Sequence, residues 1–206
     1  MGNQVVKFLQ QENQRLLDEN RLLRDKVMTL RDYLDGLRSL QRAAESITSE
    51  EDPLTLLDKI LYSALTVIDA KDGSILLLDP KTNELVFALV RGDLGNVLPG
   101  YRIPANTGIA GWVATRNEPQ IVNNVRADQR FSGDVDETFQ FETYSLLCVP
   151  MTSRGKVLGV IEVLNKFNQQ DFNETDQDLL GTLAYIAATT IDLMESELVE
   201  PTLEKA

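Results

Sequence analysis

The stretch SLLCVPMTSRGKVLGVIEVLNK, residues 145–166, decides the fold. Residues Tyr144–Met151 and Lys156–Leu164 are two strongly apolar runs, and Ser153, Arg154 and Gly155 join them tightly. Such a pair reads as a β-hairpin, and its apolar character places it at the centre of a sheet rather than at an edge. Cys148 falls inside the first run. As the chain's single cysteine it excludes an internal disulfide, and the expectation is a buried core thiol.

Working outward, Pro119–Val122 is a short strand. Before it, Asn106, Thr107 and Gly108 open a short helix, IAGWVATR (109–116), with Thr107 as the expected N-cap. Tyr101–Pro104 is a short extended piece, preceded by the glycine-punctuated loop RGDLGNVLPG (91–100). Gly73–Asp79 and Glu84–Val90 form a second hairpin around PKTN (80–83), where Pro80 suits a turn. Leu54, Leu57, Ile60, Leu61, Ala64, Leu65 and Ile68 recur at helical spacing, with Asp52 as cap and Pro53 at the first helical position. Downstream, Asn173 opens a long helix to about Glu197. It carries two apolar stripes: Leu180, Ala184, Ala187, Ile191, Met194 and Leu198, and beside them Leu179, Leu183, Ile186 and Leu193. One stripe is expected on the sheet and the other on a partner helix. The order gives an α+β domain, an antiparallel sheet with helices on one side. Residues 123–143 form a long, polar, irregular segment containing Phe131, Phe139 and Phe141. A connection of that length inside a domain is usually functional, and the aromatics argue for an ordered lid.

The first part of the chain has a different grammar. Leu9, Leu16, Leu23, Leu30 and Leu37 recur every seven residues, and Ala44 continues the series. Val6, Asn13, Asn20, Val27, Leu34 and Gln41 supply the alternate seam position. This pattern predicts a parallel, two-stranded coiled coil over residues 1–48. Asn13 and Asn20 would fix register and dimer state by bonding their mates across the seam, and Glu19 would reach Arg24 of the partner helix. The expected organisation is therefore a dimeric coiled coil (1–48), a globular domain (53–198) and a short tail (199–206). No output domain is visible in the sequence, so the chain is read as acting on another protein or as a piece of a longer signalling chain.

The quoted motifs, taken together, resemble the GAF domain: RIPANTGIAGWVATRNEPQIVNNV (102–125), then SLLCVPM (145–151), then KVLGVIEVLNK (156–166). The resemblance covers about residues 53–195 and is similar in particular to the cyclic-nucleotide GAF domains of phosphodiesterases and adenylyl cyclases. It implies a GAF-type antiparallel sheet with flanking helices. It also implies a latch built of Asn165, Lys166, Phe172 and Asp176, with Lys166 pairing to Asp176; Gln177 stands where the pattern has Glu. By matched position it implies ligand contacts at Ser74, Ile109, Ala110, Asp136, Thr143 and Glu162, the backbone N–H groups of the short helix cradling a phosphate. Arg91 stands where the pattern has an aromatic ring that stacks on the purine. A guanidinium can stack or bind an anion. Ser132 and Phe139 also depart from the matched contacts.

Composition narrows the function. The formal charge of −12 disfavours nucleic acid and anionic membrane surfaces as partners. The chain has no histidine, which removes His-based triads, most zinc sites and haem ligation by His. Bilin-binding relatives attach their chromophore at a Cys followed by His; here Val149 follows Cys148. There is no run of about 18 apolar residues and no signal peptide at the start, so the reading is cytoplasmic and neither membrane-spanning nor secreted. No nucleophile–base pair, metal cluster or phosphate loop appears. The expectation is a non-catalytic sensory module: a homodimer that binds a cyclic nucleotide or other small molecule and acts on a signalling partner or output domain. The alternative is a ligand-free dimerisation or scaffold module.

Overall fold

The computed structural model describes residues 53–199, together with residues 7, 10–21, 23, 24 and 27. The chain divides into two units, residues 1–38 and 39–206. In the first, the described residues are helical. Asn13 and Asn20 lie on this helix, exposed in the single chain along with Leu16, Leu23 and Val27. The other seam positions, Val6, Leu9, Leu30, Leu34, Leu37, Gln41 and Ala44, lie outside the described residues, as does Asp52.

The second unit begins with helix α1 (Pro53–Ile68), followed by strands β1 (Ala70–Asp79), β2 (Glu84–Arg91) and β3 (Arg102–Pro104). Helix α2 (Gly108–Arg116) and strand β4 (Gln120–Val122) come next. A short 3-10 turn (Val125–Ala127) and helix α3 (Asp134–Phe139) lie within the lid segment. The hairpin β5 (Leu146–Ser153) and β6 (Lys156–Lys166) follows, and α4 (Glu174–Val199) closes the unit. Six strands form one antiparallel sheet in the order β3-β2-β1-β6-β5-β4, so the hairpin quoted first does lie inside the sheet. Its turn is as tight as the sequence suggests: Arg154 and Gly155 both adopt positive φ, 48° and 77°, the two-residue geometry that suits the right-handed twist of paired strands. No helix among the described residues is long and apolar enough to cross a membrane.

Side chains alternate across the sheet, and each face has its own core. Ile75, Leu147, Val149, Ile161 and Val163 point to the face covered by α1 and α4. Leu76, Leu146, Cys148 and Val160 point to the opposite face, covered by α2 and the lid. Helices on one side only is therefore corrected: the sheet is covered on both faces, because residues 108–116 form a full helix with Ile109, Val113 and Ala114 buried. A second correction concerns α4. Both of its stripes are used within the chain: Leu180, Ala184 and Ala187 share one core with Leu183, and Leu179 is buried too, so neither is spare over those residues. In α1, Leu56, Leu57, Ile60, Leu61, Ala64 and Ile68 are buried while Leu54 is exposed. A 16-residue helix is marginal alone, but each fully buried Leu or Ile contributes roughly 1.5–3 kcal/mol, so the core holds it.

Candidate functional site

The α2-side core does not close completely. Between the sheet, α2 and the lid lies a cavity of about 180 Å³. Its floor comes from β1 and β6. Ser74 and Glu162 are cross-strand partners, and the Ser74 hydroxyl donates to Glu162 Oε1 at 2.6 Å. Two residues earlier on β1, on the same face, is Asp72. Phe87 and Val90 of β2, Leu94 and Leu98 of the following loop, and Tyr101 form one wall; Thr107–Ala110, Phe131 and Phe141 cover it. Six of the positions implied by the resemblance, Ser74, Ile109, Ala110, Asp136, Thr143 and Glu162, line this one cavity, and Arg91 borders it with its guanidinium turned away.

Their polar atoms are not equally free. Asp136 is saturated: one oxygen accepts from Arg126 Nη2 (2.8 Å) and the Thr143 N–H (3.0 Å), the other from the Thr143 hydroxyl (2.7 Å). Asp136 thus ties Arg126, near the start of the lid, to Thr143 at its end. The lid also seats on the wall by an edge-on contact of Phe139 with Tyr101, ring centres 5.2 Å apart, and Arg130 lies over the Trp112 ring at 4.8 Å.

Arg91 is the clearest departure from expectation. Its guanidinium donates bidentately to Asp58 of α1, at 2.8 and 2.5 Å, and lies over the Tyr62 ring at 5.0 Å. It faces α1, not the cavity. The cause is a β-bulge: Leu89 pairs with Ile75 and Phe87 with Leu76, which leaves Ala88 without a partner. The extra residue inverts the alternation, so Val90 takes the cavity side and Arg91 the α1 side.

At the N-terminus of α2, Thr107 is the N-cap residue, as expected, with extended backbone geometry, but its side chain makes no capping bond. The first-turn N–H groups of Ile109 and Ala110 therefore have no intrahelical partner and border the cavity. Partial positive charge there suits an anion.

Electrostatics on the floor run the other way. Burial raises the Glu162 carboxyl to about 7, with the Ser74 hydrogen bond pulling weakly downward. Cys148 faces Glu162 from β5; burial first, and the neighbouring carboxylate second, push its thiol well above the usual range. Burial also raises Asp72, opposed by the Asp93 N–H and Lys71. Asp72 Oδ1 accepts that N–H at 2.9 Å, whereas Oδ2 is buried and has no hydrogen-bond partner. The Asn165 side-chain amide also lowers it. Gly92, at φ 102°, makes room for this carboxylate: a Cβ there would lie 2.1 Å from Asp72 Oδ1.

The implied latch residues lie at the far end of β6. Lys166 Nζ donates to Asp176 Oδ2 at 2.5 Å and sits 5.8 Å from the Phe172 ring centre, and both charged side chains are nearly buried. Asp176 also accepts the Asn173 N–H (3.0 Å), while Asn173 Oδ1 accepts the N–H of Asp176 (3.1 Å), a capping box that starts α4. Asn165, at φ 56°, clamps the lid's exit by accepting the Tyr144 N–H and donating to the Glu142 carbonyl. Gln177 turns elsewhere, to the α4–β5 groove beside Tyr185. Sequence reading missed Asp72, Asp58 and Asn123, whose amide exchanges two hydrogen bonds with the Phe172 backbone. Only an apolar-run reading that flagged Asp72 as a charge one step before a buried strand had a signal to work from.

An α+β domain with a cavity between its sheet and a tethered lid is a class of small-molecule-binding module, and comparison with known proteins specifies it. The GAF domain family model matches residues 50–192, and the chain belongs to the GAF domain family. The chain is 31% identical over 182 residues to the dual 3',5'-cyclic-AMP and -GMP phosphodiesterase 11 of Drosophila melanogaster, covering 81% of this chain and 12% of that protein. It is 32% identical over 135 residues to the probable 3',5'-cyclic phosphodiesterase pde-5 of Caenorhabditis elegans, covering 61% and 18%. The chain thus spans less than a fifth of the length of these relatives, and the match lies in their GAF region, a regulatory and non-catalytic domain. Among solved structures, the GAF domain of a phosphoenolpyruvate-protein phosphotransferase from Coxiella burnetii aligns with a TM-score of 0.73 at 18% identity, over 80% of this chain and 97% of that one, a likeness of fold.

Proposed function

We propose that this domain is a regulatory receptor for a 3',5'-cyclic nucleotide, and that a dimeric coiled coil over residues 1–48 passes its state to a signalling partner in the cytoplasm. One observation carries the reading: the cavity has two ends of opposite polarity. The uncapped N–H groups of Ile109 and Ala110 suit a phosphate, and the Ser74–Glu162 floor suits the polar edge of a base. The apolar wall of Phe87, Leu94 and Leu98 between them suits the faces of a ring. The two relatives' names supply the ligand class. In this reading Asp136 and Thr143 hold the lid, and Arg91 anchors β2 to α1.

The cavity of about 180 Å³ is below the roughly 300–1,000 Å³ usual for small-molecule sites, so binding requires the lid to lift. That size also favours the second reading, a ligand-free dimerisation or scaffold module with a collapsed pocket. Titration calorimetry with cAMP and cGMP separates the two. Saturable binding accompanied by a rise in Tm supports the receptor. Absence of heat and of any Tm shift up to millimolar nucleotide leaves the scaffold.

A further inference from the structure

We propose that the groove between α4 and the outer edge of β5 is a docking surface for a basic amphipathic helix of a protein partner. The groove measures about 490 Å³, and Pro119, Val149 and Pro150 face Asp178, Gly181 and Tyr185 of α4 across it. The three α4 residues fall three and four positions apart, on one face of the helix. Glycine inside a helix is destabilising relative to alanine, so Gly181 needs a reason. Packing within the chain supplies none: a Cβ at Gly181 would have nothing within 4 Å, whereas one at Gly111 or Gly159 would strike backbone at 2.8 or 2.0 Å. Bare backbone at Gly181 admits close approach by a body outside the chain. Beside it, Tyr185 is 68% exposed, more than any other large apolar side chain among the described residues. An aromatic ring flanking a groove is the kind of anchor on which interfaces concentrate their binding energy.

Charge and edge chemistry choose the occupant. Asp178 in the groove and Glu118, next to Pro119 at its rim, are exposed, and neither forms an ion pair among the described residues. The whole chain carries a formal charge of −12, which adds to the attraction for cations. An added strand does not suit the groove. β4 pairs with β5 only as far as Cys148, and Pro150 beyond it has no N–H to offer a new strand. A helix needs no such donor. It seats an apolar side chain over Gly181, between Tyr185 and Pro150, and its lysines or arginines reach Asp178 and Glu118. The groove is separate from the cavity, so this docking does not depend on a nucleotide.

The test is fluorescence anisotropy with the full chain, without nucleotide. The probe is a labelled peptide of leucine and lysine at helical spacing, about 18 residues long so that it holds a helix. A leucine–glutamate peptide of the same pattern is the control. The expected result is saturable binding of the basic peptide, weakening as salt rises, and none of the acidic one. Gly181→Leu fills the groove without striking anything, so its Tm holds or rises while affinity falls by roughly tenfold, the loss expected for an anchoring contact. Asp178→Lys is expected to lose as much. Glu137→Lys changes the net charge equally from an exposed position on α3 and is expected to leave affinity unchanged. Equal losses in Asp178→Lys and Glu137→Lys overturn the proposal, because the peptide then feels only the overall charge. Absence of binding overturns it, as does unchanged binding by Gly181→Leu. Self-association that Gly181→Leu abolishes gives the groove to a second copy of the chain and overturns it too.

Discussion

Replacing Glu162 with Gln removes one buried titration and little else. The amide oxygen still accepts from the Ser74 hydroxyl, and the side-chain volume is kept. Burial holds the carboxyl near 7 against an ordinary value of 4.5. Between those values the folded protein retains a proton that the unfolded chain has released. The fold binds more protons there, so its stability falls as pH rises through that window, and the full loss is present above about 7. A gap of some 2.5 units corresponds to about 3 kcal/mol. Below 4.5 both states are protonated and the group contributes nothing to the slope. Glu162→Gln should therefore match the parent protein near pH 4.5 and exceed it at pH 8 by up to roughly 3 kcal/mol, about 6–12 °C in Tm for a domain of this size. The quantity to measure is the difference between the two proteins in urea and thermal unfolding at pH 4.5, 6 and 8, without ligand. Taking the difference cancels other carboxylates, such as Asp128, which the Arg130 guanidinium holds low. A difference that is flat with pH, or that favours the parent at pH 8, would refute the account of a desolvated acid on the cavity floor.

Four further outcomes follow from other parts of the molecule. Lys166→Met leaves Asp176 nearly buried without its cation and should cost about 3–5 kcal/mol in urea unfolding, far more than loss of the exposed Arg15–Glu12 pair. Asp136→Ala strips the buried Thr143 N–H of its acceptor; a loss of about 1–3 kcal/mol is expected, and hydrogen exchange should accelerate across residues 123–143 more than in α1 or α4. Gly92→Ala forces a Cβ onto Asp72 at a positive φ and should lower Tm, with about 1–3 kcal/mol of strain. For the proposed coiled-coil dimer, Asn13→Leu with Asn20→Leu should raise thermal stability while loosening oligomeric state, so that sedimentation equilibrium finds species larger than a dimer.

The central hairpin was legible because burial on both sides of a strand leaves an unmistakable apolar run, and Cys148 sits where that run places it. The floor pair was named only through the resemblance, by matched position; that residues 74 and 162 are cross-strand partners is seen in the sheet. Arg91 was misread because a bulge is invisible to a period of two: one unpaired residue, Ala88, moves the guanidinium to the opposite face. Asp72 escaped notice because a charged residue just before an apolar run looks like the end of a turn. Only the three-dimensional path of loop 91–100 covers it. The second stripe of α4 suggested a partner helix because sequence alone does not say that α1 and the sheet together wrap most of one helix's circumference.

The distribution of buried polar groups separates the two faces more sharply than any motif does. Among the described residues, seven polar or charged residues are buried: Asp72, Ser74, Asp136, Thr143, Ser145, Glu162 and Asp176. Five of them line the cavity; the other two are Ser145, just before β5, and Asp176, which pairs with Lys166 at the start of α4. Burying such groups opposes folding unless each finds a partner, and a sheet face needing only to be covered is better served by apolar residues. Within the five, Asp136 and Thr143 consume each other's bonding capacity and so close the lid. Glu162 receives a single hydroxyl, and Asp72 keeps one oxygen unmet. The residual bonding capacity therefore lies on the floor, opposite the unpaired N–H groups of α2. In the proposed receptor reading, a small-molecule occupant would meet both.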